Sequence, residues 1–330
     1  MASSDPPERP SPERLSPVPG SSPALAVALG ALALLIVVLS VAYHRHFSSE
    51  VRSVVEERLE AVAELKVQQV VLWRTERSSD AAVFHGNRHF ADLVDRAYGS
   101  PGEREALREW LEQVREAYGY DRIAWIDTTG AERIAVSAGE DAGASHPPSD
   151  ALRVMRTGEV EFADFHRDTP DGLFHLTILV PVLGGRESSP LGVLAIRVDP
   201  RAQLYPMLRR WPMPRRTAEA VLVRREDDDA VVLNPLESRP EDTPGLRLPL
   251  SKERVTTVLA ARGVEGAVDG IDPDGERVVA VIRAVPDSPW SLVARIDSDE
   301  AFAPLRSRLW WTVGLVAGLL LGLGGLAGFL

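Results

Sequence analysis

Two runs without a single charged side chain limit what this chain can fold into. Ala24 to Tyr43 reads ALAVALGALALLIVVLSVAY, and Leu309 to Leu330 reads LWWTVGLVAGLLLGLGGLAGFL. About 20 residues at 1.5 Å each span about 30 Å, the thickness of a hydrocarbon core, so both runs are expected to be transmembrane helices. A cleaved leader is the alternative for the first run. Its apolar stretch is too long for one, and its positive flank is poor, with Arg9 and Arg14 standing among Asp5, Glu8 and Glu13. The Trp310-Trp311 pair opens the second run as interfacial aromatics do. Arg306 and Arg308 lie on the middle region's side of that run, against the positive-inside rule, but large domains translocate regardless of charge. The middle region is therefore placed outside the cytoplasm, in a two-pass protein of a bacterial inner membrane.

Residues 1–22, rich in Pro and Ser, read as a disordered cytoplasmic tail ahead of a first span at 23–43. From Ala31 to His85 there is neither Gly nor Pro, and Val51, Val55, Leu59, Val62 and Leu65 recur at spacings of three and four. The first span is thus expected to continue as a stalk helix over 44–84 whose apolar stripe needs a partner, the following domain or a second copy. Net charge is −11, which argues against a nucleic-acid surface, and the absence of cysteine excludes disulfides and thiolate metal sites.

Beyond the stalk the chain writes one phrase twice. SPLGVLAIRVDP, Ser189 to Pro200, returns as SPWSLVARIDSD, Ser288 to Asp299. Each copy closes a similar series. In the first, YDRIAWIDTTGAERIAV is a hairpin around Thr-Thr-Gly, SDALRVMRTG a helix ending at Gly158, and EVEFADF, LFHLTILVPVL and LGVLAIRV are strands. In the second, EAVLVRREDDDAVVLN is a hairpin around EDDD, SKERVTTVLAARG a helix ending at Gly263, and three strands follow. Asp199-Pro200 and Asp297, with Glu300 three residues on, mark the starts of exit helices, the second running into the final span. The expected fold is α+β: two tandem PAS-like modules with antiparallel sheets, a distal one at 85–200 and a proximal one at 201–308, with the second span at 309–330. Two such modules behind a long helix rising from a membrane resemble the double Cache sensor domain of bacterial transmembrane receptors.

In the amino-acid-sensing members of that family the distal module binds ligand through Arg-x-Trp-Tyr on the short helix, then Tyr-x-Asp, then an Asp in the last strand. The segment HPPSDALRVMRTG lacks the first element, so the carboxylate clamp is missing. Tyr-x-Asp becomes Phe162-Ala163-Asp164, and the last-strand acid falls on Arg197. The resemblance therefore implies a small-molecule ligand other than an amino acid or amine, and the charge at position 197 suits an organic anion. Along the strand, Val193, Ala195 and Arg197 share one face. A guanidinium there must be paired, internally by Asp164 or by a ligand carboxylate. His175 and Thr177 on the neighbouring strand face ligand or cover the sheet edge, and Trp125 and Asp127 in the first hairpin line the same cavity or belong to the core.

Other patterns carry less. HGNRH has histidines four apart on a helix, but Gly86 replaces the general-base Glu and weakens the helix. His166 and His175 with Asp164 form at most a weak mixed metal site. GLGGLA lies inside the final apolar run with no preceding strand, which rules out a dinucleotide loop. Gly314, Gly318 and Gly322 recur every four residues, a spacing that lets two membrane helices approach closely. No catalytic set or cofactor motif is present. The expectation is a non-enzymatic sensor, homodimeric through stalk and membrane helices, with a kinase, cyclase or chemotaxis output beyond Leu330 or on a separate chain. The rival expectation is a membrane-tethered scaffold that binds other proteins.

Overall fold

The computed structural model describes residues 23–139, 148–166, 174–184, 189–240 and 244–329. The tail expected at 1–22 lies outside them. The chain packs as two units, Val54–Ala301 and the remaining terminal segments, which include the start of the first helix and the last helix. Among the described residues, no helix is long and apolar enough to cross a membrane.

Helix α1 (Pro23–Ala82) contains the expected stalk. Within the larger unit it buries Leu59, Val62, Lys66, Val70 and Trp73, while Leu65 stays 41% exposed. The expected apolar stripe is followed only as far as Val62, after which the buried face passes through Lys66. Helix α2 (Arg88–Gly99) starts at Asn87, whose side chain accepts from the Phe90 amide, and buries Phe90, Ala91, Val94 and Ala97. Helix α3 (Pro101–Tyr118) carries Pro at its start and closes on Gly119 in the left-handed conformation, φ 67°.

The first sheet is antiparallel and built from β1 (Arg122–Asp127), β2 (Glu132–Ser137), β3 (Glu161–His166), β4 (His175–Gly184) and β5 (Ser189–Val198), in the order β2-β1-β5-β4-β3. Helix α4 (Pro148–Thr157) lies between β2 and β3 in sequence and ends at Gly158, φ 71°. On one sheet face Trp125 meets Phe90 with ring centroids 6.4 Å apart, and Phe90 stacks on Trp110 at 5.2 Å. On the other face Ala124, Ile126, Leu179, Val193 and Ala195 pack against Ala151, Val154 and Met155 of α4. Gly192 makes the β1–β5 approach possible: a Cβ there would lie 2.2 Å from the Ile126 carbonyl and 2.6 Å from the Trp125 ring.

The connector is α5 (Leu204–Arg209). It starts later than Asp199-Pro200 suggests, because Asp199 folds back on Arg201, accepting from its amide at 2.8 Å. The second sheet has the order β8-β7-β6-β11-β10-β9, from β6 (Glu219–Glu226), β7 (Asp229–Val232), β8 (Arg247–Pro249), β9 (Gly266–Ile271), β10 (Arg277–Ala284) and β11 (Trp290–Asp297). Helix α6 (Thr256–Ala261) is shorter than expected, since Val255 is bridged to Ile271 and the residues before it form turns. Val221, Val223, Ala280, Ile282 and Val293 fill the face toward α6 together with Val258 and Ala260. Helix α7 (Ser298–Ala301) follows β11, and α8 (Ala303–Phe329) holds the second uncharged run. Glu300 does not close a capping box. Its carboxylate accepts from the Arg216 and Thr217 amides and the Thr217 hydroxyl, tying α7 to the start of β6.

Candidate functional site

Register places the site. Ala163 pairs with Thr177, Thr177 with Arg197, Arg197 with Arg122, and Arg122 with Ser137. Directly paired residues share a face, so these five form one row across the whole sheet. The next row is Leu179, Ala195, Ala124 and Ala135, the apolar floor beneath α4. A polar row thus borders an apolar one on a single face.

The polar row is buried. Arg197 is 1% exposed, Thr177 0% and Arg122 5%, and His175, two positions from Thr177, is 1%. Asp121, just ahead of β1, accepts from Arg197 Nε at 2.5 Å, and its Oδ2 lies 3.6 Å from His175 Nδ1. One carboxylate therefore serves a guanidinium and an imidazole. Arg122 reaches Glu132 at 2.5 Å and Ser137 Oγ at 3.4 Å. His166 Nε2 lies 3.4 Å from Thr177 Oγ1. Two guanidiniums placed directly opposite each other repel, and each is compensated from within the protein, Arg197 by Asp121 and Arg122 by Glu132.

The seven residues singled out in the sequence separate into four places. Arg197, Thr177 and His175 come together in the polar row. Trp125 and Phe162 lie on the opposite face, because Trp125 pairs with Leu194 and Phe162 with Ile178, both out of phase with Arg197. Trp125 donates to Tyr98 Oη at 3.2 Å. Phe162 meets Trp73 edge-on at 6.2 Å. Asp127 closes the β1–β2 turn, accepting from the amides of Thr129 and Ala131, the Thr129 hydroxyl and Arg133 Nε. Burial opposes ionisation of Asp127, but these bonds outweigh it and hold its carboxyl at about 2.

Asp164 faces the second sheet. Its Oδ2 pairs with Arg224 Nη1 at 2.6 Å, and its Oδ1 accepts from Trp290 Nε1 at 2.7 Å. Arg224 also donates to the Phe165 carbonyl, and Phe165 packs on Trp290 at 5.2 Å. From the stalk, Arg74 lies over the Phe162 and Trp290 rings and donates to the carbonyls of Pro286 and Asp287. Asp164 shares the face of Phe162, two residues before it, and the register shift between Ala163 and His166 turns His166 toward Thr177. Sequence reading missed Asp121 and Arg122. The only signal for either was a charged pair at the mouth of β1, and the β1–β5 register that gives it meaning cannot be read from spacing.

Aligned on their Arg-x-Asp ends, the two phrases put Arg197 opposite Arg295. Arg295 is 4% exposed and lies between Glu219, 2.6 Å from Nη2, and Asp272, 3.2 Å from Nη1. No metal cluster is found among the described residues.

No protein-family model matches the chain, and no curated protein matches it in sequence. Solved structures match its fold. The sensory domain of the Campylobacter jejuni chemoreceptor Tlp3 superposes with a TM-score of 0.55 at 10% identity, over 77% of this chain and 97% of that one. The ligand-binding domain of the Pseudomonas aeruginosa PAO1 amino acid chemoreceptor PctB, in complex with L-Gln, gives 0.54 at 18% identity, over 75% and 93%. The V. cholerae histidine kinase DctB sensor domain gives 0.54 at 13% identity, over 76% and 99%. The double Cache fold expected from the sequence is the fold these comparisons find.

Proposed function

We propose that the chain is the extracytoplasmic, non-catalytic input region of a bacterial transmembrane receptor, and that its first module senses a small organic anion. The observation that carries this reading is the buried row in which Arg122 and Arg197 stand opposite each other beside an apolar floor. A carboxylate entering that row would compete with Asp121 and Glu132 for the two guanidiniums and would meet the Thr177 hydroxyl and the His175 and His166 rings. Its carbon skeleton would rest on Ala124, Ala195 and Leu179. The absence of an acid at position 197 disfavours amines, in contrast to the glutamine that PctB holds.

The reading includes two membrane spans, at 23–43 and 309–330, supported by their uncharged sequences. It divides the intervening region into a stalk at 44–84, a distal module at 85–200 and a proximal module at 201–308. At Gly314, Gly318 and Gly322 an added Cβ would meet nothing within 4 Å, an open surface on which a second copy's helix can pack to make a homodimer. A kinase, cyclase or chemotaxis module would receive the signal.

Coupling follows from the bulge in β3. Ligand that engages Thr177 and His166 biases the position of the bulge, and Asp164 and Phe165 on its other side hold Arg224 and Trp290. Trp290 begins β11, which leads into α7. A ligand that prefers one placement of β3 shifts the population of the whole path.

The test is a thermal-shift screen of the full chain in nanodiscs against small mono- and dicarboxylates, amino acids and purines. Ligand at a hundred times its Kd stabilises by about 2.7 kcal/mol. A carboxylate is expected to raise Tm saturably in the wild type, with the rise lost in Arg197→Met and reduced in Thr177→Val. No shift from any anion, or an undiminished shift in Arg197→Met, contradicts the assignment and favours a protein-binding scaffold.

A further inference from the structure

The face that the stalk turns toward the connector is not the apolar stripe its periodicity promises. Lys66, Gln69 and Trp73 recur at i, i+3 and i+7, so they share that face, and they line a cavity of about 580 Å³ with Met207, Arg210 and Trp211. A volume of this size falls within the range of small-ligand pockets.

Lys66 is 2% exposed, and its ammonium donates to the carbonyls of Met207 and Arg210, each at 2.5 Å, capping the C-terminal end of α5. An ammonium has three donors, and two are used. Burial, and after it the neighbouring Arg210 guanidinium, hold the pKa of Lys66 below the usual lysine value. Among the described residues neither cation has an ion-pair partner. Trp73 is 5% exposed and its Nε1–H has no acceptor, and Gln69 Oε1 is buried with no donor. A buried indole N–H and amide oxygen left without partners cost about 1–3 kcal/mol each. These are two adjacent cations and two unsatisfied polar atoms, beside the apolar surfaces of Met207 and Trp211; Glu76 lines the same cavity about 15 Å along the helix from Lys66 and pairs with neither cation among the described residues. From Lys66 to Trp73 the helix rises about 10 Å.

We propose that this cavity is a second ligand site, separate from the polar row of the first sheet, and that it takes a small amphipathic carboxylate. The carboxylate neutralises Lys66 and Arg210, and the apolar body lies along Met207 and Trp211 toward the Trp73 ring. A ligand here would wedge between the stalk and the connector that joins the two sheets.

Phenylpropionate is a suitable probe, with phenylpropanol as the uncharged control and acetate as the control without an apolar body. Binding to the full chain in nanodiscs is measured by calorimetry. Saturable binding of phenylpropionate is expected, with both controls at least about tenfold weaker. Arg210 is exposed, so Arg210→Gln should fold normally and weaken binding about tenfold, as loss of a charge-assisted contact does. Trp73→Phe keeps an aromatic ring but removes part of the surface the apolar body lies against, and should weaken binding by about fivefold or more. Arg197→Met should leave this binding unchanged, which separates the site from the distal one. Absence of saturable binding, or indifference to Arg210→Gln, overturns the proposal. So does loss of binding in Arg197→Met, which would place the probe in the distal row. Binding that disappears as protein concentration rises would give the cavity to a second copy of the chain and equally overturn it.

Discussion

Asp127 and Arg197 are both buried charges of the first sheet, and they have different work. Asp127 is saturated from within its own turn by two amides, a hydroxyl and Arg133. Its folded pKa of about 2 lies below the ordinary 3.8, so it adds stability that is present above about pH 4 and lost as pH falls toward 2. Asp127→Asn keeps the turn's amide bonds and loses the ionic one. It is expected to cost on the order of 1 kcal/mol at neutral pH and to flatten the acid limb between pH 4 and 2, measured by urea melts across that range. An unchanged acid limb would show that the turn bonds do not hold the carboxylate. The pairing that explains Arg197 was legible only in half. Strand alternation put Val193, Ala195 and Arg197 on one face, and the α4 contacts of Val193 and Ala195 agree. The partner was not legible. Asp121 stands outside the strand pattern, and only the register of β1 against β5 brings it to the guanidinium.

Among the elements, β3 has the largest difference between what spacing suggests and what the fold does. Phe162-Ala163-Asp164 occupies the place of a ligand-contacting motif in the resembling family. Here Asp164 is spent on Arg224 and Trp290 of the second sheet. The reason is alternation itself: Asp164 shares the face of Phe162, away from Arg197, and the bulge that follows breaks the period of two only for His166. Helix starts were misplaced for a related reason. Asp199-Pro200 and the Ser251 segment have the composition of helix entries, but Asp199 bonds its own turn and Val255 joins a strand bridge. Where no tertiary contact competed, as at Asn87 and at Gly119, local signals and structure coincide. The hub makes a distinct prediction. Asp164→Asn should lower stability by about 1–2 kcal/mol by weakening the Arg224 pair, while changing carboxylate affinity less than about twofold. Denaturant melts and the thermal-shift titration measure the two quantities. Loss of ligand response without loss of stability would return Asp164 to the binding site.

At the scale of the molecule, the two copies surround the closing-strand arginine differently. Both modules carry an arginine at the same place in the closing strand. In the second module, Arg295 lies between Glu219 and Asp272, and the face toward α6 is filled by Val221, Val223, Ile282 and Val293. In the first, the matching face has small residues under α4 and a second guanidinium opposite Arg197, with one internal carboxylate on each, Asp121 and Glu132. The duplication itself was plain in the sequence, since the Arg-Val-Asp of Arg197–Asp199 returns as the Arg-Ile-Asp of Arg295–Asp297, with the Ser-Pro openings one residue out of step. The difference between the copies was not, because it lies in cross-strand neighbours far apart in the chain. Arg295 is therefore a control built into the protein for Arg197. The side-chain Nε–Hε resonances of the arginines, followed by NMR while the stabilising carboxylate is titrated into the full chain, report on both at once. Saturable movement of the Arg197 and Arg122 signals with the Arg295 signal fixed is the expected result. Movement of Arg295 instead, or of none of the three at saturating ligand, would contradict a sensor whose distal copy alone receives the anion.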